Sequence, residues 1–319
     1  MNKKELTNLY KVLYKIRFTE EQISKEYHKG EMRCPVHLST GQEAISGAIS
    51  LLMKKKDFAI SSHRAHAHYI SKGGSLKRML AEIYGKESGC SSGKGGSMHL
   101  IDLSVNFMGS TAILANSIPI GVGLALSSVL KKNKQFCFIF FGDGAVEEGA
   151  FYESINFAII KKLPVIFICE NNFYSVYTPI KNRQPKNRKI FKMVKGMSVK
   201  SFFQNSNDPL VIYNFLKEKI NFKDVNSGPY FFEFRNYRWR EHCGPNYDDD
   251  LNYRDKNELK KWLKQDPVKI LENKLSRLDK KIVKQIKNEI EKEVHNAFKF
   301  ARLSKFPNKR DSLKGVYAK

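Results

Sequence analysis

Apolar residues recur at three- and four-residue steps near the start of the chain. Leu6, Leu9, Tyr10, Leu13 and Ile16 share one face, which predicts a helix over 3–29. A second helix is expected after Thr40-Gly41-Gln42-Glu43. There Thr40 and Glu43 have the spacing of a capping box, and Ala44, Ile45, Ala48 and Leu51 supply the buried face. Helical patterns return over 76–84, 117–130 and 147–162. Between them lie short runs that are apolar almost throughout: 134–141 (KQFCFIFF), 164–169 (PVIFIC) and 229–234 (PYFFEF). Such runs suit strands covered on both faces, as in parallel sheets. Their alternation with helices predicts an α/β fold, a mostly parallel sheet flanked by helices and joined by right-handed crossovers. Residues 85–110 and 171–195 show no period and read as long functional loops. After Asp266-Pro267, Ile270, Leu271, Leu275, Ile282, Ile286, Ile290 and Val294 mark charged covering helices. One α/β domain over 1–265, with 266–319 as its helical C-terminal extension, is the expected organisation.

Composition narrows the class. Of 319 residues, 41% are hydrophobic and 28% charged, as in soluble globular proteins. No apolar run reaches the roughly 18 residues of a membrane span, and the first residues carry no signal-peptide core, so no membrane role is expected. Five cysteines without metal-ligand spacing fit reduced thiols and a cytoplasmic location. The formal charge of +24 comes mostly from scattered lysines. Without a reader motif it does not argue for nucleic acid, though a basic surface for an acidic partner protein is compatible with it.

The chemistry concentrates in two short motifs. Gly142-Asp143-Gly144 follows one apolar strand and precedes a helix, and Asn171-Asn172 follows the next strand. Both therefore belong at the carboxyl ends of neighbouring parallel strands, where open α/β sheets bind ligands. One carboxylate (Asp143), one amide oxygen (Asn172) and one backbone carbonyl suit Mg²⁺, which takes about six oxygens and shares them with phosphate. Gly142 and Gly144 let the backbone approach closely, and a helix beginning near Ala145 would direct free N–H groups at a diphosphate. Glu148 and Glu153 read as first-turn carboxylates favoured by the helix dipole. His63, His66 and His68 have spacing found in zinc sites, but Arg64 lies among them and no cysteine is near. Gly121-Val122-Gly123 lacks the preceding strand and later acidic residue of a nicotinamide fingerprint.

This pattern resembles the thiamine diphosphate fingerprint. More closely, the chain is similar to the α-subunit of the heterotetrameric decarboxylase component of 2-oxo acid dehydrogenase complexes, with the pyruvate- and acetoin-dehydrogenase α-subunits nearest. The resemblance runs from about residue 5 to about residue 300. Its strongest blocks are His37-Leu38-Ser39-Thr40-Gly41-Gln42-Glu43-Ala44, His63-Arg64-Ala65-His66, 93–99, 142–149, 163–172 and Tyr237-Arg238-Trp239. It implies thiamine diphosphate and Mg²⁺ as cofactors, with Asp143, Asn172 and the carbonyl of Tyr174 as metal ligands. It further implies His63, Arg64, Ala112, Leu114, Gly144, Ala145, Arg238 and His242 around the cofactor, and His37, His66 and His242 as catalytic candidates.

The resemblance also implies what is missing. Nothing in the sequence resembles the domain that grips the aminopyrimidine, so a β-subunit carrying it is expected, in an α₂β₂ assembly. The expected activity is decarboxylation or oxidation of a small 2-oxo acid or acyloin, with acyl transfer to a lipoyl acyltransferase or another acceptor. Departures cluster at Arg240-Glu241-His242-Cys243-Gly244-Pro245-Asn246-Tyr247-Asp248-Asp249-Asp250, where Cys243 replaces the phosphorylatable serine, and at Glu147, which replaces a usual asparagine. They leave room for a biosynthetic carboligase or decarboxylase with a more polar substrate, outside any lipoyl complex. A non-catalytic regulatory or binding paralogue is the alternative of another class, and intact Asp143 and Asn172 speak against it.

Overall fold

A computed structural model describes residues 1–315; residues 316–319, the end of the expected extension, lie outside the described residues. In chain order the elements are α1 (Lys3–Tyr27), α2 (Glu43–Ser50), β1 (Phe58–Ser61), α3 (His66–Ser71), α4 (Leu76–Ile83), β2 (Phe107–Ser110), α5 (Ser117–Leu130), β3 (Cys137–Gly142), α6 (Gly149–Ile160) and β4 (Val165–Asn171). A hairpin of β5 (Tyr174–Ser175) and β6 (Thr178–Pro179) leads to α7 (Ile180–Arg183), α8 (Ile190–Gly196), β7 (Lys200–Gln204), α9 (Pro209–Lys219) and β8 (Tyr230–Arg235). Three helices follow: α10 (Lys256–Leu263), α11 (Pro267–Leu278) and α12 (Lys280–Leu303).

Six strands form one sheet in the order β2-β1-β3-β4-β8-β7, every neighbouring pair parallel. Side chains alternate across each strand, so the apolar runs feed two cores. Phe138 and Phe140 of β3 join the core built with α1, α2, α4, α9, α11 and α12, while Ile139 and Phe141 join a second core with α5, α6 and α8. Helix α1 packs its predicted stripe against α2 at Gly47, where any Cβ would collide with Leu13. Because β3 and β4 are adjacent, with Gly142 opposite Glu170, the Gly-Asp-Gly and Asn-Asn motifs emerge side by side at one end of the sheet.

Four local expectations are corrected. The capping box at Thr40 does not form: α2 has Gln42 as N-cap with no side-chain bond. Thr40 instead donates to Glu20, and Glu43 is buried as the partner of Arg17, which also bonds Asp266 at 3.2 Å and lies 4.2 Å over Trp239. Burying Glu43 against a guanidinium outweighs the modest stabilisation of a cap. Helix α6 starts at Gly149, and Asp143–Glu147 is a 3₁₀ turn, so no α-helix begins at Ala145. Residues 85–110 contain β2, and 171–195 contain the hairpin, α7 and the start of α8. Strands β1, β2 and β7 carried no clear apolar run and went unanticipated.

The glycine-rich stretch has a protein partner. The Glu82 carboxylate on α4 is fully buried and accepts four backbone N–H groups, from Ser91 (2.7 Å), Gly93 (2.9 Å), Gly95 (2.7 Å) and Gly96 (3.1 Å). Gly93 and Gly96 adopt φ of +77° and +61°, which glycine alone takes without strain.

Candidate active site

The ends of β3 and β4 open into a cavity. One wall is Gly142, Asp143, Gly144, Asn172, Tyr174 and Ser175; the other holds Gln42, Ser62, His63, Arg64, Leu114 and His242, with Glu170 at the base. Asp143 is buried and accepts the Asn172 N–H at 3.3 Å. The Asn172 side-chain oxygen accepts the Tyr174 N–H at 3.1 Å, closing a turn directly after the residue that bonds Asp143. Gly144 is required by a neighbour: a Cβ there would sit 2.8 Å from the Ser175 hydroxyl. At Gly142 the nearest protein atom to a Cβ is 3.9 Å away, so only a ligand would demand glycine.

The opposite wall is cationic and imidazole-rich. Arg64 is buried and donates to the carbonyls of Leu38 (2.6 Å) and His242 (3.1 Å). His37, His63 and His242 form a cluster with ring centres 4.7–5.3 Å apart. Burial, reinforced by the Arg64 guanidinium, pushes His37 down to about 2 and His63 and His242 down to about 3. All three are therefore neutral at pH 7. Arg64, buried and facing Arg238, is pushed down to about 9 and keeps its charge. Across the cavity, burial lifts Asp143 above its ordinary carboxylate value, against the pull of Arg183. A carboxylate costly to bury faces a guanidinium whose hydrogen bonds go only to carbonyls and one imidazole. A divalent cation on the first and an anion beside the second would relieve both.

The sequence candidates divide on this geometry. His63, Arg64, Leu114, Asp143, Gly144, Asn172, Tyr174 and His242 line the cavity, and His37 touches it through the other two rings. Arg238 lies behind the hairpin, donating to Val176 O (3.2 Å), the Tyr253 hydroxyl (2.9 Å) and Arg240 O. Ala145 is buried in the 3₁₀ turn, and Ala112 lies on the half-exposed strap, 3.4 Å from His99 Nε2. His66 stands apart, with Nε2 at 2.8 Å from Ser97 and Nδ1 at 3.4 Å from Glu20. His68 bonds Ser61 (2.7 Å) and Glu170 (3.2 Å) while stacking on Phe140. The zinc-like trio His63, His66 and His68 is thus split. Among the described residues the histidines with metal-ligand proximity are His37, His63 and His242, and the adjoining Arg64 disfavours a cation there.

Gln42, Ser62, Glu170, Ser175 and Arg183 were not singled out from sequence. Glu170 carried a usable signal, being a carboxylate inside an apolar strand directly before Asn171-Asn172. The charges at 240–250 turn away from the cavity: Arg240 bonds Glu21 and Pro245 O, Glu241 accepts the Asn246 N–H at 2.8 Å, and Asp248 pairs with Arg254 and Arg238. From this loop only His242 reaches the cavity. Among the described residues no helix is long and apolar enough to cross a membrane.

The donor set fits a Mg²⁺–diphosphate group, with oxygen ligands and two glycines on one wall and a buried guanidinium on the other. A family model described as "Dehydrogenase E1 component" matches residues 11–310. The chain is 36% identical to the pyruvate dehydrogenase E1 component subunit alpha of Rickettsia bellii over 321 residues, covering 99% of this chain and 96% of that protein. It is 30% identical to the subunit of the same name from Porphyra purpurea, covering 100% of this chain and 94% of that one. For the testis-specific mitochondrial form of Rattus norvegicus the values are 32%, 99% and 80%. The chain belongs to the dehydrogenase E1 component family, as a thiamine diphosphate- and Mg²⁺-dependent α-subunit of the 2-oxo acid dehydrogenase type.

Proposed function

We propose that this chain is the diphosphate-binding half of an enzyme that decarboxylates pyruvate or a similarly small 2-oxo acid and passes the acyl group to a lipoyl acceptor. The observation that carries the proposal is the single cavity joining Asp143, Asn172 and Tyr174 to Arg64 and three neutral imidazoles. Thiamine diphosphate supplies the electron sink for such a decarboxylation. In this reading Asp143, the Asn172 amide oxygen and the Tyr174 carbonyl hold Mg²⁺, while Arg64, His63 and the N–H groups of the 143–147 turn face the diphosphate. Leu114 and Ala112 meet the cofactor's ring region, and Arg238 positions the 174–179 hairpin by holding Val176 O. His242, neutral and facing the cavity, accepts and returns a proton at the substrate, and His37, packed against its ring, supports it from behind. His66, fixed by Ser97 and Glu20, positions the 93–99 segment.

Leu114 in the cavity lining is 40% exposed and its chain neighbour Ile113 66%, which supports an incomplete site covered by a β-subunit, with α₂β₂ as the assembly. The pairing of Arg240 with Glu21 and of Asp248 with Arg254, away from the cavity, removes the reason to expect a polar substrate. Residues 266–319 are read as part of the same unit, since α11 and α12 share the core of α1 and α4. Five free thiols and a full-length match to bacterial relatives support a cytoplasmic location.

The test is co-expression with the pyrimidine-binding subunit and a panel of 2-oxo acids and acyloins with a lipoylated acceptor. Pyruvate-class turnover by the complex, and none by either chain alone, is expected. Turnover by this chain alone, or carboligation without acyl transfer to lipoyl, would overturn the reading.

A further inference from the structure

Arg183, the last residue of α7, reaches across the hairpin into the metal wall. Its side chain is only 10% exposed. Its Nε donates to Thr178 O at 3.1 Å, one Nη pairs with Glu147 and the other with Asp143 Oδ2. Gln184 steadies the arrangement by donating to the same Glu147 oxygen at 2.9 Å. The other oxygen of Asp143 accepts the Asn172 N–H. Asp143 is thus a buried carboxylate already paired with a cation from its own chain, which offsets part of the cost of its burial, and that cation has a second acidic partner.

We propose that Arg183 is the resident counterion of Asp143 and competes with the divalent cation for it, withdrawing onto Glu147 when the metal enters. The inference rests on reading Asp143 as a metal ligand. Magnesium draws carboxylate oxygens to about 2.1 Å and tolerates little distortion of its octahedron. A guanidinium in contact with the same carboxylate adds like-charge repulsion at close range. Glu147 gives Arg183 somewhere to remain paired, so the exchange never leaves a buried charge alone. Arg183 and Glu147 therefore set how readily the empty site takes up metal, and they protect Asp143 while it is empty.

The test is Mn²⁺ binding, followed by the EPR signal of free Mn²⁺, to the α/β complex without thiamine diphosphate. Alongside it, thermal unfolding of the metal-free complex is recorded. Arg183→Gln should tighten Mn²⁺ binding about tenfold and lower the metal-free unfolding temperature, with Mn²⁺ restoring it. Arg183→Lys keeps the charge but loses the forked geometry, and should fall between. If Arg183→Gln does not assemble, a gain of about threefold in Arg183→Lys carries the same conclusion. Unchanged or weaker Mn²⁺ binding in the assembled variants overturns the competition. Failure of the underlying reading looks different: Asp143→Asn would then leave wild-type Mn²⁺ affinity intact.

Discussion

At the scale of single residues, the site is defined by groups held in unfavourable states. His37, His63 and His242 sit well below the ordinary imidazole value because they are buried beside Arg64, so protonating any of them opposes folding. The unfolded chain, with imidazoles near 6.5, then binds more protons than the folded one as the pH falls. Stability is complete above about pH 6.5 and declines below it, by up to roughly 1.4 kcal/mol per pH unit for each histidine. Thermal unfolding of the cofactor-free complex between pH 7.5 and 5.5 should show this fall, and a His37→Asn/His63→Asn/His242→Asn variant should flatten it. An equally steep fall in the variant would assign the effect to other groups. Asp143 and Asn172 were legible in the sequence because their neighbours announce strand ends. Arg183 and Gln42 were not, because their roles depend on which chain segments fold back over the cavity.

Among the elements, legibility followed burial. Strands β3, β4 and β8 are covered on both faces and read as apolar runs, whereas β2 and β7 are sheet edges with Gly109, Ser110, Lys200 and Gln204 and leave no such trace. β1, inside the sheet, is only four residues long. The 3₁₀ turn Asp143–Glu147 was hidden for another reason, since its five residues continue directly into the pattern of α6 without a sequence break. The segment 91–96 shows how one carboxylate can order a glycine-rich loop. Glu82→Ala would leave its four backbone donors without their charged acceptor, at about 3 kcal/mol or more. Denaturant titration should register that loss, with Glu82→Gln in between. A change below about 0.5 kcal/mol would mean that the loop is held by other contacts.

Considered whole, the molecule is half of an active site on a complete fold. The sheet, both cores and the covering helices α11 and α12 are present in one chain, while the cavity at the β3/β4 ends leaves Leu114 in its lining 40% exposed. The exposed Leu114 in the cavity lining and its neighbour Ile113 are where a partner would close the site. The most direct measurement of the central claim is calorimetry of thiamine diphosphate with Mg²⁺ binding to the α/β complex, wild type against Asp143→Ala. One site per α-chain is predicted in the wild type. The variant should assemble normally yet bind about a hundredfold more weakly or worse, equivalent to roughly 3 kcal/mol. Undiminished binding in Asp143→Ala would contradict the account.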